Sequence, residues 1–248
     1  MSDAPKGPRR YESPKRQQQA RATRRAIVEA GRSLFLSRGY GGTTIEAIAG
    51  EAGVAVQTVY AVFGSKPHIL SSVLDVAVAG HDSPAALLDR EAVRAIGLEP
   101  DAGRRVRMFA ALMRDVQGRT AAVAQVAREA STTDPEMAQM WHVMQDNRAQ
   151  EMAEAARSLV GDALPPAQGA ARALPPAQGG ARALPPAQGA ARALPHARPL
   201  DEIRDVLWVL CSPEVYQLFV AERLWTPERY EEWLAEAIES LVSPDRRG

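Results

Sequence analysis

Cysteine is almost missing: Cys211 is the only one in 248 residues, so neither an intramolecular disulfide nor a thiolate-rich metal site can form. It lies in an apolar stretch and is expected as a small core residue rather than a redox sensor, which needs an exposed, electropositive setting. Histidine is nearly as sparse. His68, His81, His142 and His196 are scattered, with no i, i+4 pair and no HExxH spacing for a metal. No GxSxG, P-loop or GxGxxG motif stands between a strand and a helix, and no stretch reads convincingly as a strand, so catalysis has no foothold and no cofactor is implied. Long apolar runs are also lacking. Nothing approaches the length of a membrane span, and the N-terminus is basic and polar without an apolar signal core, which predicts a cytoplasmic protein with no membrane partner.

What is present favours helices. Hydrophobic residues make up 46% of the chain with few β-branched runs, enough for two helical domains with cores of their own. The net charge is zero but unevenly placed: residues 1–40 hold ten basic residues against three acidic ones, a net +7, which leaves −7 for the remainder. The first twenty residues, MSDAPKGPRRYESPKRQQQA, mix Pro, Gly and polar residues without an apolar period and read as a flexible basic arm.

The window from Ile45 to Gly64 has helix-turn-helix spacing. Its fifth position is Ala49, small enough for a second helix to cross closely, and its ninth is Gly53, which takes the positive φ of a tight turn without a Cβ clash. Ile48, Ala52, Val54, Val59 and Val62 are apolar where two crossed helices bury side chains together. Packing alone also fits an ordinary helical hairpin; the residues outside the seam point to DNA. Gln57 can bond base edges, and Thr58, Tyr60 and Lys66 can bond phosphates. Thr44 is placed as N-cap of the first helix, beside a position that suits a phosphate. Upstream, Ile27, Ala30, Gly31, Leu34 and Phe35 form an amphipathic stripe that Gly39, Gly41 and Gly42 break. The result is a three-helix module. In that setting the arm either lays Arg9, Arg10, Lys15 or Arg16 along phosphates or into the minor groove, or serves only as a solvated tail.

From Ala26 to Leu70 the chain resembles the N-terminal domain of the TetR family of bacterial transcriptional regulators. The likeness rests on Leu34, Phe35, Gly39, Tyr40, Thr43, Thr44, Ile48, Ala49, Ala52, Gly53, Val54, Thr58, Val59, Tyr60, Phe63, Ser65 and Lys66 at the family's spacing. The resemblance implies that Val56, Gln57 and Thr58 face bases or the groove floor, that Tyr60 and Lys66 hold phosphates, and that Thr44 anchors the first helix. Two positions depart from the pattern. Ala55 stands where the recognition helix usually starts with a capping Ser or Thr, a loss of about 1 kcal/mol at that helix start. Val62 replaces a polar residue and is assigned no DNA contact.

A second domain begins near Pro67, with His68 to Ala77 as a helix linking the two parts. Beyond it, Ser83, Asp134, Ser212 and Thr226 each precede a proline, the pairing of a capping side chain with Pro at the first helical position. Helices are expected at about 84–96, 102–116, 119–130 and 135–160. Phe109, Leu112, Met113, Met140, Trp141 and Met144 among them are either core or the lining of a pocket for an apolar effector, since Met repacks around varied shapes. The family resemblance implies such a pocket without naming its ligand.

Three ten-residue copies, ALPPAQGAAR, ALPPAQGGAR and ALPPAQGAAR, run from Ala163 to Arg192, followed by a partial fourth ending at Arg198. Each copy has one large apolar residue to bury, and its Pro pair and Gly deny a continuous helix. The segment 163–198 reads as a Pro/Ala-rich loop inserted between helices, either tolerated or a partner-binding element. After it come three apolar stripes: Leu200, Ile203, Val206, Leu207 and Leu210; Val215, Leu218 and Phe219; and Tyr230 to Val242. The stretch from Leu207 to Leu241 also resembles the C-terminal region of actinobacterial-type TetR proteins, which implies a two-fold helical interface; on the residues alone, Trp225, Tyr230 and Trp233 fit monomer core as well. One recognition helix contacts few bases, so a homodimer is what a helix-turn-helix needs.

These readings predict an all-α protein. Residues 1–20 are the arm, 21–66 a helix-turn-helix DNA-binding domain, and 67–248 a helical ligand-binding and dimerisation domain. The expected function is a repressor that binds double-stranded DNA at a palindromic operator as a homodimer and is released by a small-molecule effector. A DNA-binding activator or architectural protein without an effector, and a helical protein-interaction module, remain the alternatives.

Overall fold

The computed structural model describes residues 14–80, 88–161 and 198–243. Among the described residues there are only helices and their connections: α1 (Pro14–Arg38), α2 (Ile45–Glu51), α3 (Val56–Phe63), α4 (Lys66–Ala79), α5 (Leu88–Leu98), α6 (Ala102–Ser131), α7 (Pro135–Val160), α8 (Leu200–Leu210), α9 (Pro213–Gln217), a π-helical turn (Leu218–Glu222) and α10 (Pro227–Val242). The start signal Ser83–Pro84, the repeat segment up to residue 197 and residues 1–13 of the arm lie outside the described residues.

Three of the capped starts take the geometry that their sequence predicts. The Asp134 carboxylate accepts from the N–H groups of Glu136 and Met137, Ser212 Oγ from Val215, and Thr226 Oγ1 from Arg229, each with Pro in the first helical turn. At the far end of α7, Gly161 adopts φ +88° and closes the helix on the carbonyls of Arg157 and Ser158.

Two boundaries need correction. The domain read from 21 onwards opens on a helix that starts at Pro14, so residues 14–20 belong to α1 and not to an irregular arm; Pro suits a first helical position, and the following side chains are exposed. The helices expected at 102–116 and 119–130 are one helix, α6, of 30 residues. A single Gly costs a helix only about 1 kcal/mol, and Gly118 faces the Tyr216 hydroxyl, 3.4 Å from where a Cβ would stand. Its neighbours Gln117 and Thr120 are buried and bonded, Gln117 donating to the Cys211 carbonyl and Thr120 to the Val116 carbonyl.

Burial produces two apolar clusters. The first joins α1, α2, α3 and α4 to the C-terminal half of α6 and the start of α7 through Phe35, Ile48, Val59, Leu70, Ala127 and Met137. The second gathers the N-terminal half of α6, the end of α7, and α8 to α10 around Phe109, Leu159, Leu207, Tyr230 and Ile238. Each fully buried side chain of this size contributes about 1.5–3 kcal/mol. The first cluster does not stop at residue 66: Ile69, Leu70 and Val73 of α4 lie wholly inside it. Helix α4 is therefore packed into the three-helix module as firmly as it is joined to the body.

Cys211 is buried, and burial pushes its thiol up to about 12, which keeps it protonated and inert. The stripe Val215, Leu218, Phe219 is bent by the π-helical turn: Leu218 swings out to solvent, while Phe219 stacks on Trp225 and against Trp233, both ring centroids at 4.4 Å. The monomer thus packs its own C-terminal aromatics.

Candidate nucleic-acid interface

The site is assembled by α2, the turn at Gly53, and α3. Thr44 caps α2 by accepting from the Ala47 N–H at 3.1 Å, while Thr43 turns inward and donates to the Gly39 carbonyl at 2.8 Å. Gly53 has φ +66° and a Cβ there would meet nothing within 4 Å, so the backbone conformation, not space, calls for glycine. Helix α3 then starts at Ala55, whose extended backbone (φ −70°, ψ 147°) is that of an N-cap but whose methyl accepts nothing.

Along α3 the side chains sort by face. Val59 and Phe63 point into the first cluster, and Val62 packs against it, in line with its having no assigned contact. Gln57 is exposed, Tyr60 is 49% exposed despite its size, and Val56 and Thr58 sit half-buried beside them. Thr44 is exposed at the start of α2. Five of the six sequence-predicted contact residues therefore share the α2–α3 surface, with Val56, Gln57 and Thr58 in the first turn of α3 where N–H groups favour anions. No charged side chain lies on α3 itself. Basic residues come from α1, where Lys15, Arg16, Arg21, Arg32 and Arg38 are exposed.

Lys66 is placed differently. Its ammonium donates to the carbonyls of Tyr40 (2.9 Å) and Thr43 (3.0 Å) and lies 3.9 Å from the centre of the Tyr40 ring. Burial lowers its pKa, against the opposing pull of Asp134. It ties α4 to the loop that precedes α2, leaving one N–H for any other acceptor.

The junction to the body is polar and specific. Tyr40, buried and stacked on Phe35, donates its hydroxyl to Asp134 Oδ2 at 2.6 Å, while the other carboxylate oxygen caps α7. Burial raises the Tyr40 pKa, and the hydrogen bond to Asp134 raises it further. For Asp134, burial works against the charged form, yet the Tyr40 bond, the Met137 and Glu136 N–H groups and the Lys66 charge together hold its carboxyl below the ordinary range. His68 Nδ1 lies 3.2 Å from Glu136 Oε1 and 2.8 Å from Ser65 Oγ. At the other end of α4, Arg119 of α6 donates to the carbonyls of Ala77 (3.0 Å) and Val78 (3.1 Å), groups that the helix end leaves without intrahelical partners. Arg24 of α1 lies over the Phe63 ring at 4.4 Å and donates to Ser72 Oγ at 2.8 Å, clamping α3 and α4 together.

Sequence patterns missed Arg24, Arg119 and the second partner of Asp134. Only the capping role of Asp134 has a local signal; Tyr40 lies 94 residues away. The six residues proposed to line a pocket are not brought together. Phe109 and Met113 belong to the second cluster with Leu112 against it, whereas Met140, Trp141 and Met144 pack on the first. The reason is length: α6 and α7 each span both clusters, so residues one helix apart in sequence end up at different levels.

Comparison with known proteins agrees with this geometry. Residues 27–73 match the family described as bacterial regulatory proteins, tetR family. Solved structures share the fold. A transcriptional regulator from Rhodococcus sp. Rha1 superposes with a TM-score of 0.56 at 15% identity, covering 88% of this chain and 95% of that one. NalD, the secondary repressor of the MexAB-OprM multidrug efflux pump in Pseudomonas aeruginosa, gives 0.55 at 18% identity over 93% and 100% of the two chains. A Saccharomonospora viridis protein solved in complex with choline gives 0.55 at 21% identity over 87% and 95%. No curated protein matches the sequence. No helix among the described residues is long and apolar enough to cross a membrane. Residues 27–73, which carry the helix-turn-helix surface, are thus a DNA-binding domain of the TetR family of bacterial regulatory proteins, set in a chain that shares the fold of solved transcriptional regulators.

Proposed function

We propose that the protein is a cytoplasmic repressor that binds a palindromic operator as a homodimer and is released by a small molecule, with no catalytic step. The observation that carries this reading is the pairing of an exposed Gln57–Tyr60 face on α3 with a helix, α4, held at both ends by other elements. In the proposed scheme residues 21–66 supply the DNA-binding head and 67–248 the body. Gln57 reads base edges, Val56 and Thr58 line the groove floor, and Thr44, Tyr60 and the remaining Lys66 N–H hold phosphates. A two-fold dimer places the second α3 one helical turn away, about 34–36 Å, in a successive major groove. NalD, a repressor of similar fold, supports repression as the sign of regulation.

Release follows from the lever. A displacement of α6 moves Arg119 and, through the Ala77 and Val78 carbonyls, the C-terminal end of α4. Because α4 shares the first cluster with α1 and α3, its tilt changes the separation of the two recognition helices. The effector must prefer the released conformation, since equal affinity for both states shifts nothing.

The test is selection of genomic fragments by the purified protein, followed by binding to the enriched site at several salt concentrations. Affinity should fall steeply with salt, the logarithmic slope being about −0.9 per phosphate contacted. Gln57→Ala should relax sequence preference at an unchanged slope. Salt-independent binding, together with Gln57→Ala behaving as the parent, would sink the proposal in favour of a protein-binding surface.

A further inference from the structure

Polar side chains interrupt the inner face of α7 where it passes from one apolar cluster to the other. On α7, Trp141 and Met144 pack on the first cluster, Met152 lies in the second, and Gln145 and Arg148 fall between them on the same face. On α6 Gln117 and Thr120 lie within the span of the second cluster, between Val116 and Ala121, and both are supplied with partners. Arg148 is not fully supplied. One terminal nitrogen donates to the Trp208 carbonyl of α8 at 2.8 Å, and the guanidinium lies 4.3 Å from the centre of the Trp208 ring. Its Nε and Nη1 are shut off from solvent and have no hydrogen-bond partner. The same holds for Trp208 Nε1, on the ring that Arg148 covers, and for Gln145 Oε1 one turn away. Burial lowers the Arg148 pKa in spite of the opposing pull of Glu214, Cys211 and Glu151, and the Glu214 carboxylate is already bonded to Arg128 at 2.9 Å.

Native interiors rarely leave buried polar atoms unpaired, and a buried cation is the most costly case. Here three nitrogen donors and a single positive charge meet one amide oxygen acceptor at one level of the body. A singly charged anion matches this set, whereas a dianion would carry an unbalanced charge into the interior. Met144 and Trp141, one and two turns back along α7, offer an adaptable apolar neighbour to the rest of such a molecule.

We propose that Arg148 and Trp208 anchor a small carboxylic acid with an apolar body, its carboxylate accepting from both side chains. The proposal rests on the reading of the protein as an effector-released regulator and names the chemical class of that effector. It also gives the ligand a route to the DNA-binding head. Arg148 stands fourteen residues, about 21 Å, along α7 from Asp134, the residue that receives the Tyr40 hydroxyl.

The experiment uses the full chain and four probes: octanoate and benzoate, each against its uncharged amide, octanamide and benzamide. Titration calorimetry and tryptophan fluorescence should show at least one acid binding about tenfold or more tightly than its amide, the difference expected for a charge-assisted contact. Arg148→Met should erase that preference and raise the melting temperature of the ligand-free protein, because a structural arginine would lower it. Arg148→Lys should retain part of the preference. Equal binding of acid and amide, binding untouched by Arg148→Met, no binding of either acid, or a lower melting temperature in Arg148→Met would each overturn the proposal. Operator binding is measured separately. A protein that binds the acid but no DNA defeats the regulator reading alone, and one that stays on its operator with the acid bound defeats the effector assignment alone.

Discussion

Replacing Asp134 by alanine removes two interactions from one carboxylate. The first is the N-cap of α7, where Oδ1 accepts from Glu136 N–H at 3.0 Å and Met137 N–H at 3.1 Å; loss of such a cap costs about 1 kcal/mol. The second is the bond from the Tyr40 hydroxyl at 2.6 Å, a hydrogen bond to a charged group, for which about 1.5–3 kcal/mol is usual. Since Tyr40 is 7% exposed, its hydroxyl has little water to turn to once the carboxylate is gone. The expected destabilisation of Asp134→Ala is therefore about 2.5–4 kcal/mol. Tyr40→Phe removes only the second interaction and should cost about 1.5–3 kcal/mol. Urea unfolding of the parent, both single variants and the double variant closes a thermodynamic cycle, and the coupling should exceed about 1 kcal/mol. Additive losses, with a coupling under about 0.5 kcal/mol, would refute the idea that this pair joins head and body. The pH dependence gives a second check. Asp134 is held below its ordinary value in the folded protein, so its increment is complete above the unfolded-chain value of about 4 and is lost as pH falls through the lower folded value. The parent should thus lose this stability below about pH 4, and Asp134→Asn should show a flatter acid limb over that window.

Three further outcomes are expected. Gly31→Ala should destabilise by about 1–3 kcal/mol in thermal melts, because its Cβ would lie 2.9 Å from Ile69 Cγ2, where α1 crosses α4 inside a packed core. Ala55→Ser should stabilise by about 0.5–1 kcal/mol in urea unfolding, since the position already has N-cap backbone geometry and lacks only the accepting oxygen. Lys66→Ala should lower affinity for all DNA sequences alike and also destabilise the protein by about 1–2 kcal/mol, as the Tyr40 and Thr43 carbonyls lose their donor; a variant of parental stability would show that these contacts contribute nothing.

Much of the architecture can be read from local spacing. Gly53 at the turn, Ala49 at the crossing, and Val59 on the inner face of α3 take their expected places, and the bounds of α7 agree with the reading from Pro135 to Val160. The two helix boundaries that differ do so for a shared reason. Pro14 and Gly118 are punctuation marks whose meaning depends on context: one opens a helix, and the other sits inside one, where a single Gly costs only about 1 kcal/mol. The putting together of site residues is less legible. Lys66 has the composition of a phosphate contact, yet its carbonyl partners in the Tyr40–Thr43 loop appear only when α4 is laid beside that loop. The six residues assigned to one pocket share chemistry and helical phase, but phase says which face a residue occupies and nothing of its height along a helix of 26 or 30 residues.

By itself the sequence determines the helical class, the three-helix head, the caps at Asp134, Ser212 and Thr226, and the solvent-facing side of α3. All of these depend on interactions among residues within a few positions of one another, whose geometry a helix imposes. Tertiary structure alone decides that Tyr40 meets Asp134, that Arg119 closes the end of α4, and that the Arg148 guanidinium lies over Trp208 with nitrogen donors left unmatched. Those contacts join residues 42 to 94 positions apart in the first two cases and 60 in the third, and they exist only because particular helix faces were packed together at a particular height.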